Sequence, residues 1–192
     1  MHKNSYYIIN GITVYRIVAA PFLIFLIFTG KVDLFKWLLA VSFFTDLIDG
    51  YLARRYKVIS VLGSRLDSVA DDLTIVAAIV GLFVLKPEFI REEMLVIIGL
   101  FALYAFQNIS SLIKYHKTSS FHTYFAKGAA ILQGLFLILI FLLPAPGYIL
   151  FYSAAIATAV DLIEEIILVF VLPKWETDVK GLFWVMKKKK RR

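Results

Sequence analysis

Four carboxylates, Asp46, Asp49, Asp67 and Asp71, stand in otherwise strongly apolar sequence. Ionisable groups at membrane depth are costly, and by default they mark a functional site. Asp46 and Asp49 are three residues apart and Asp67 and Asp71 four apart, so on helices each pair shares a face. The connection between the pairs, Arg54 to Ser64, is short, basic and polar. Two antiparallel helices joined there aim both pairs at one point. Four carboxylates at one point repel one another and do not all stay ionised without cations. Oxygen-only ligands favour hard divalent ions such as Mg²⁺, Mn²⁺ or Ca²⁺. A site holding two such ions typically works on phosphoryl groups. The competing reading is that these are bundle-stabilising or helix-end carboxylates.

The elements that must carry these residues are membrane helices. The chain has 192 residues, 60% of them hydrophobic, and a mean hydropathy of +0.80, more apolar than soluble domains usually are. It contains no cysteine, which excludes a disulfide framework and thiolate metal sites. A span needs about 20 mainly apolar residues. Six segments qualify: 8–28, 32–52, 66–85, 94–113, 125–143 and 148–172. Gly30, Lys86-Pro87, the polar run 114–120, Pro144-Ala145-Pro146-Gly147 and Pro173 separate or end them. The first run lacks a small-residue cleavage site, so it reads as a retained helix and not as a signal peptide. The expected fold is an all-α integral membrane protein with six transmembrane helices. Its organisation is a six-helix membrane catalytic domain, 1–173, followed by a basic interfacial tail, 174–192.

Basic residues orient the spans. With both termini cytoplasmic, sixteen of the 21 Lys and Arg fall on the inner side, among them Arg54, Arg55, Lys57, Arg65, Lys114, Lys117 and Lys127. Lys31, Lys36, Lys86 and Arg91 fall outside. At 1.5 Å per residue, all four aspartates then lie within roughly 5–15 Å of the inner boundary. The site is therefore expected to open to the cytoplasm. Arg16 lies about two turns into the first helix, and Asp161, Glu164 and Glu165 lie in the inner half of the last. A buried charge needs a partner, and the expectation is that Arg16 pairs with one of these three, tying the first helix to the last.

The aspartates belong to a longer pattern, D-x2-D-G-x2-A-R-x8-G-x3-D-x3-D, filled by Asp46, Asp49, Gly50, Ala53, Arg54, Gly63, Asp67 and Asp71. This resembles the signature of the CDP-alcohol phosphotransferase family of integral membrane enzymes. A weaker N-terminal pattern, Asn10, Ile12, Thr13, Arg16 and Pro21, is similar to the family as well. The resemblance implies a CDP-linked donor, attack by an alcohol and loss of CMP, with two Mg²⁺ or Mn²⁺ ions. Carried over by position, Asp46, Asp49, Asp67 and Asp71 are metal ligands. Asp71 is also the general base, since a neutral hydroxyl attacks poorly and a nearby carboxylate can take its proton. Asp46, Gly50, Ala53 and Arg54 form the nucleotide site. Small side chains at Gly50 and Ala53 leave the helix backbone open to the cytidine, and Arg54 is placed to neutralise phosphate or hold a motif carboxylate. Gly63 is expected to permit a tight turn before the third helix. The resemblance further implies a homodimer, and a bacterial inner membrane is the natural setting.

The donor expected is CDP-diacylglycerol, because a lipid can enter between the helices. The acceptor is less directly written. Asp67-Ser68-Val69-Ala70-Asp71 is similar to phosphatidylserine synthases, but the Ser-Phe-Gly expected soon afterwards is missing. Phosphatidylglycerophosphate synthases often place lysine after the last aspartate, where this chain has Asp72. Basic inner loops suit a small anionic acceptor, with glycerol 3-phosphate ahead of serine and inositol phosphate. Lys127, Lys117 and Arg65 are the candidates for holding its phosphate; the competing role for each is positive-inside topology and contact with anionic lipid. His116 and His122 read as interfacial. Tyr104, Gln107 and Asn108 either line a cavity or bond between helices. The stretch 182–186 followed by six cations suits an anionic leaflet, and nucleic-acid binding is not expected on a membrane enzyme. A carboxylate-based cation transporter is the rival of another class, but the outer halves of the second and third helices are almost wholly apolar.

Overall fold

The computed structural model describes residues 2–56, 61–117, 121, 123–145, 147–176 and 179–190, with side chains at all of these but 2–10, 47, 49–56, 61–65, 67, 68 and 188–190. The described residues are mainly helical, and among them there is no strand. In order the helices are α1 His2–Phe28, α2 Val32–Tyr56, α3 Val61–Leu85, α4 Pro87–Glu92, α5 Met94–Tyr115, α6 Tyr124–Leu142, α7 Tyr148–Val171 and α8 Leu182–Lys190.

Each of the six apolar segments forms one helix. The helices α1 and α3 begin before their apolar runs do, because hydropathy marks bilayer depth while helical hydrogen bonding continues into polar sequence. This corrects the expectation for Gly63, which lies in the first turn of α3 and not in a turn ahead of it. Two short helices were not expected. Pro87 opens α4 at a position where its missing N–H leaves no bond unmade, and α8 follows Gly181 at φ +143°. Among the described residues, three helices are long and apolar enough to cross a membrane, within Gly11–Phe28, Met94–Tyr115 and Tyr124–Leu142. The remaining long helices α2, α3 and α7 have 25, 25 and 24 residues and carry the charged groups of interest. Large apolar side chains face outward, as at Phe28, Leu95, Ile149 and Phe170, the surface that a lipid solvent favours.

The chain divides into two compact units, Met1–Ile90 and Arg91–Arg192. In the first, α1 packs against both α2 and α3, which touch each other far less. The buried stripe of α1 runs Thr13, Arg16, Ala20, Leu23 and Ile27 at spacings of three and four. Phe35, Leu39 and Ser42 form the stripe of α2, and Ala70, Thr74, Ala77 and Ala78 that of α3. Small residues here let the backbones approach closely. The buried hydroxyls bond to their own helices, Ser42 to the Leu38 carbonyl at 2.9 Å and Thr74 to the Ala70 carbonyl at 2.8 Å.

In the second unit, α7 is the shared neighbour of α5, α6 and α8. Phe136 and Phe151 meet between α6 and α7 with ring centroids 5.3 Å apart. At the N-terminal end of α7, the Tyr148 hydroxyl donates to Glu92 at 2.6 Å and the Tyr152 hydroxyl to both oxygens of Glu93 at 2.8 and 2.9 Å.

The turn between α1 and α2 has a defined cap. Lys31 N–H bonds the Leu26 carbonyl at 3.0 Å and Gly30 N–H the Ile27 carbonyl at 3.2 Å, the paired pattern of a glycine helix stop. Gly30 has φ +71°, and a Cβ there meets nothing within 4 Å. The penalty for a side chain is therefore backbone strain alone. Gly30→Ala is expected to cost about 1 kcal/mol and Gly30→Asn less, read as the shift in thermal unfolding of the detergent-solubilised protein. Equal loss in both variants would contradict this account.

Candidate active site

The three stripes of the first unit change character toward one end. On α1 the apolar run of Ala20, Leu23 and Ile27 gives way to Arg16 and Thr13. On α2 the stripe Phe35, Leu39, Ser42 continues, one turn further, to Asp46. On α3 Asp71 adjoins the buried Ala70. Arg16 Nη1 donates to Asp46 Oδ1 at 2.7 Å, and Nη2 donates to Asp71 Oδ1. One guanidinium on the central helix thus joins a carboxylate of each flanking helix.

The electrostatics follow from burial. The Arg16 side chain is 2% exposed, against 32% for Asp46 and 39% for Asp71. A guanidinium that deep is tolerable only when its donors meet anionic acceptors, and charge-assisted bonds of this kind are the strong ones. The trio of Arg16, Asp46 and Asp71 carries a net charge of −1. Asp49 lies three residues beyond Asp46 on α2, and Asp67 four residues before Asp71 on α3, so further negative charge sits on the same two helices.

The described bonds of Arg16 run to the motif helices, partners that the sequence reading did not give it. The signal was present: Arg16 shares its depth with the aspartates, and α1 precedes them as a hairpin neighbour. The last-helix carboxylates have other described bonds. Asp161 accepts from the Thr123 hydroxyl at 3.1 Å, Glu165 accepts from the buried Gln107 amide at 2.7 Å, and Glu164 accepts from the Leu182 N–H at 2.8 Å. Gln107 is thereby an interhelical partner between α5 and α7. Tyr104 is exposed, and Asn108 donates to its carbonyl at 3.0 Å.

The remaining expected site residues divide into two groups. Asp49, Gly50, Ala53 and Arg54 lie on α2 and Arg65 and Asp67 on α3, with side chains outside the described residues; Lys57 and His122 lie outside them entirely. Lys127 is exposed in the first turn of α6, its Nζ 5.7 Å from the Tyr124 ring centroid. Lys117 follows α5, with Nζ 4.5 Å from the Trp175 ring. Lys114 caps the end of α7, donating to the Val169 carbonyl at 2.8 Å and the Phe170 carbonyl at 3.2 Å, which gives it a structural role. His116 is exposed just past α5 with φ 55°.

Among the described residues no three carboxylates or imidazoles gather as a metal-ligand group. Two carboxylates do converge on one cation, both part-exposed and both offering hard oxygen donors. That donor chemistry fits a divalent ion of the Mg²⁺ or Mn²⁺ type.

With this geometry in place, comparison with known proteins is decisive at the family level. Residues 6–169 match the CDP-alcohol phosphatidyltransferase family. The chain belongs to that family. Similar members include a CDP-diacylglycerol–glycerol-3-phosphate 3-phosphatidyltransferase of Haemophilus influenzae, 36% identical over 73 residues, which are 36% of this chain and 39% of the relative. A probable cardiolipin synthase (CMP-forming) of Drosophila melanogaster is 37% identical over 81 residues, 42% of this chain and 25% of the relative. A CDP-diacylglycerol–inositol 3-phosphatidyltransferase of Saccharomyces cerevisiae is 38% identical over 66 residues, 34% of this chain and 30% of the relative. The chain thus spans less than half the length of these family members. No solved structure matches it.

Arg16 therefore ties together the two helices that carry the aspartate motif. Arg16→Gln leaves two adjacent carboxylates without their buried cation and is expected to destabilise the metal-free protein by about 3–5 kcal/mol. Added Mg²⁺ should restore part of the loss. Thermal unfolding with EDTA and with Mg²⁺ measures both effects. An unchanged midpoint in EDTA would remove Arg16 from this role.

Proposed function

We propose that this protein is an integral membrane CDP-alcohol phosphatidyltransferase that moves the phosphatidyl group of CDP-diacylglycerol to a small alcohol and releases CMP. The observation that carries the reading is the convergence of Asp46 and Asp71, from two different helices, on the buried Arg16. It brings together the ends of a motif whose other members lie on the same helices, within a chain of the matching family. Glycerol 3-phosphate is the preferred acceptor. The Haemophilus relative carries it in its name, as does a relative of Rickettsia bellii, 35% identical over 77 residues, 38% of this chain and 42% of the relative. Inositol stands in the name of the yeast relative and makes an inositol-type acceptor the second choice.

In this reading Asp46, Asp49, Asp67 and Asp71 hold two Mg²⁺ or Mn²⁺ ions. When bound, such ions screen the diphosphate and stabilise negative charge on the departing nucleotide. The residues of the chain do the rest. Gly50 and Ala53 leave room for the cytidine against α2, and Arg54 meets its phosphate. The acceptor hydroxyl gives its proton to the Asp71 carboxylate as its oxygen bonds the phosphatidyl phosphorus, and the bond to CMP breaks with the electron pair leaving on CMP. Arg16 contacts Asp71 through Oδ1 and so orients that carboxylate for the transfer. Lys127, Lys117 and Arg65 are the candidates to hold the acceptor phosphate.

The six long helices span the bilayer with both termini in the cytoplasm. Residues 1–173 form the catalytic domain and 174–192 an interfacial tail. The working unit is a homodimer, and a bacterial inner membrane with the site facing inward is its setting. Family membership and apolar helices support this over a cation transporter.

Purified protein supplied with CDP-diacylglycerol, Mg²⁺ and glycerol 3-phosphate is expected to release CMP. The rate should fall on the order of 10²–10⁴-fold in Asp71→Asn, and it should vanish in EDTA. Release with inositol phosphate or serine alone would reassign the acceptor. Release with none of these acceptors, at rates no higher than the variant, would defeat the reading. The absence of cysteine allows topology to be tested with single substitutions. Lys31→Cys should react with an impermeant maleimide from outside the cell, and Lys117→Cys only in inverted vesicles; the reverse pattern would overturn the orientation.

A further inference from the structure

Among the features the transferase reading leaves unused, the C-terminal helix carries the clearest chemistry. It is seated on the second unit by specific contacts. Glu164 Oε1 accepts the Leu182 N–H at 2.8 Å, so a carboxylate of α7 caps the first residue of α8. Tyr124 N–H bonds the Lys180 carbonyl at 3.3 Å, and Val185 N–H bonds the Gly181 carbonyl at 3.3 Å. Leu182 and Val185 pack on a buried cluster of Phe121, Leu168, Val169, Leu172 and Val179. The Trp184 ring lies 5.3 Å from that of Tyr124.

The seating divides the helix into two faces. At 100° per residue, Leu182 and Val185 fall in one narrow arc. Phe183, Met186, Lys187 and the free edge of Trp184 fall in the rest. Phe183 is 67% exposed, Trp184 46% and Met186 52%. Lys187 Nζ sits 6.0 Å from the Phe183 ring centroid. The sequence continues the cationic run to Arg192, six consecutive cations in all. Apolar and aromatic side chains next to a cationic run match a surface with an apolar interior and anionic head groups. A soluble acidic partner offers the charge without the apolar layer. A second copy of this chain brings the same six cations and repels them.

We propose that α8 is a docking helix for an anionic lipid surface, with Phe183, Trp184 and Met186 entering the head-group layer and Lys187, where the cationic run of the sequence begins, meeting its anionic phosphates. The Glu164 cap fixes which face is presented. The inference does not rest on the transferase reading, since no step of the reaction enters it.

The test uses the full chain in nanodiscs, with Trp37→Phe and Trp175→Phe so that Trp184 is the single tryptophan emitter. Nanodiscs are made of lipid brominated on the acyl chains, with and without added phosphatidylglycerol. The expected result is a blue-shifted, strongly quenched Trp184 emission with phosphatidylglycerol. In the neutral lipid, quenching should be weak. Replacing Lys187 to Arg192 by glutamine should remove the phosphatidylglycerol effect. High salt should weaken it in the unaltered tail, which covers the case of a variant that fails to fold. Emission that is equally unquenched in both lipids would overturn the proposal. So would quenching that ignores both phosphatidylglycerol and the cations, which would indicate apolar insertion without anion recognition. Quenching that disappears on loading one copy per disc would assign the face to a second copy instead.

Discussion

A buried guanidinium cannot be left to itself. Arg16 is almost wholly enclosed on α1, where solvent cannot compensate its charge, so the carboxylates of Asp46 and Asp71 must reach it. That single requirement fixes much of the first unit. The helices α2 and α3 touch each other little and are held mainly through α1. The apolar stripes set how closely the helices approach, but apolar contact has little directional content, and in lipid it has little driving force of its own. The ion-paired trio supplies direction and sets which faces of α2 and α3 turn inward.

The same trio explains why a site can exist there. The trio is net negative, its two carboxylates are only partly covered, and further aspartates lie on the same two helices. The protein tolerates this concentration of charge because, among the described residues, a buried cation stands between the two carboxylates. Arg16 is thus a structural tie that holds two carboxylates in place. An acidic cluster lacking such a tie would spread apart by repulsion.

The second unit follows another logic. Its polar bonds, from Gln107 to Glu165, Thr123 to Asp161 and Glu164 to the start of α8, each engage one carboxylate of α7 with a neighbouring element. These carboxylates look from sequence like counterions awaiting an arginine. In the fold they accept from neutral donors and from the start of α8. Lys114, one of the basic residues assigned to the inner side, donates to the carbonyls that α7 leaves free at its end.

The sequence by itself determined the six long helices, because a bilayer-length apolar run and its Gly or Pro breaks are local properties, and each of the six runs formed one helix; the short α4 and α8 escaped it. It also determined the family, because the motif spacing between Asp46 and Asp71 is written along the chain. The helix starts escaped it at α1 and α3, where polar residues extend helices beyond the apolar runs and Gly63 sits inside a helix. The partner of Arg16 escaped it too. Depth along the helices was legible and placed Arg16 level with both the aspartates and the acidic residues of α7. Rotation and neighbourhood were not, since they depend on which stripes of small residues pack together. Only the tertiary structure decided that α1 lies against both motif helices, and with that the buried charge had its two acceptors.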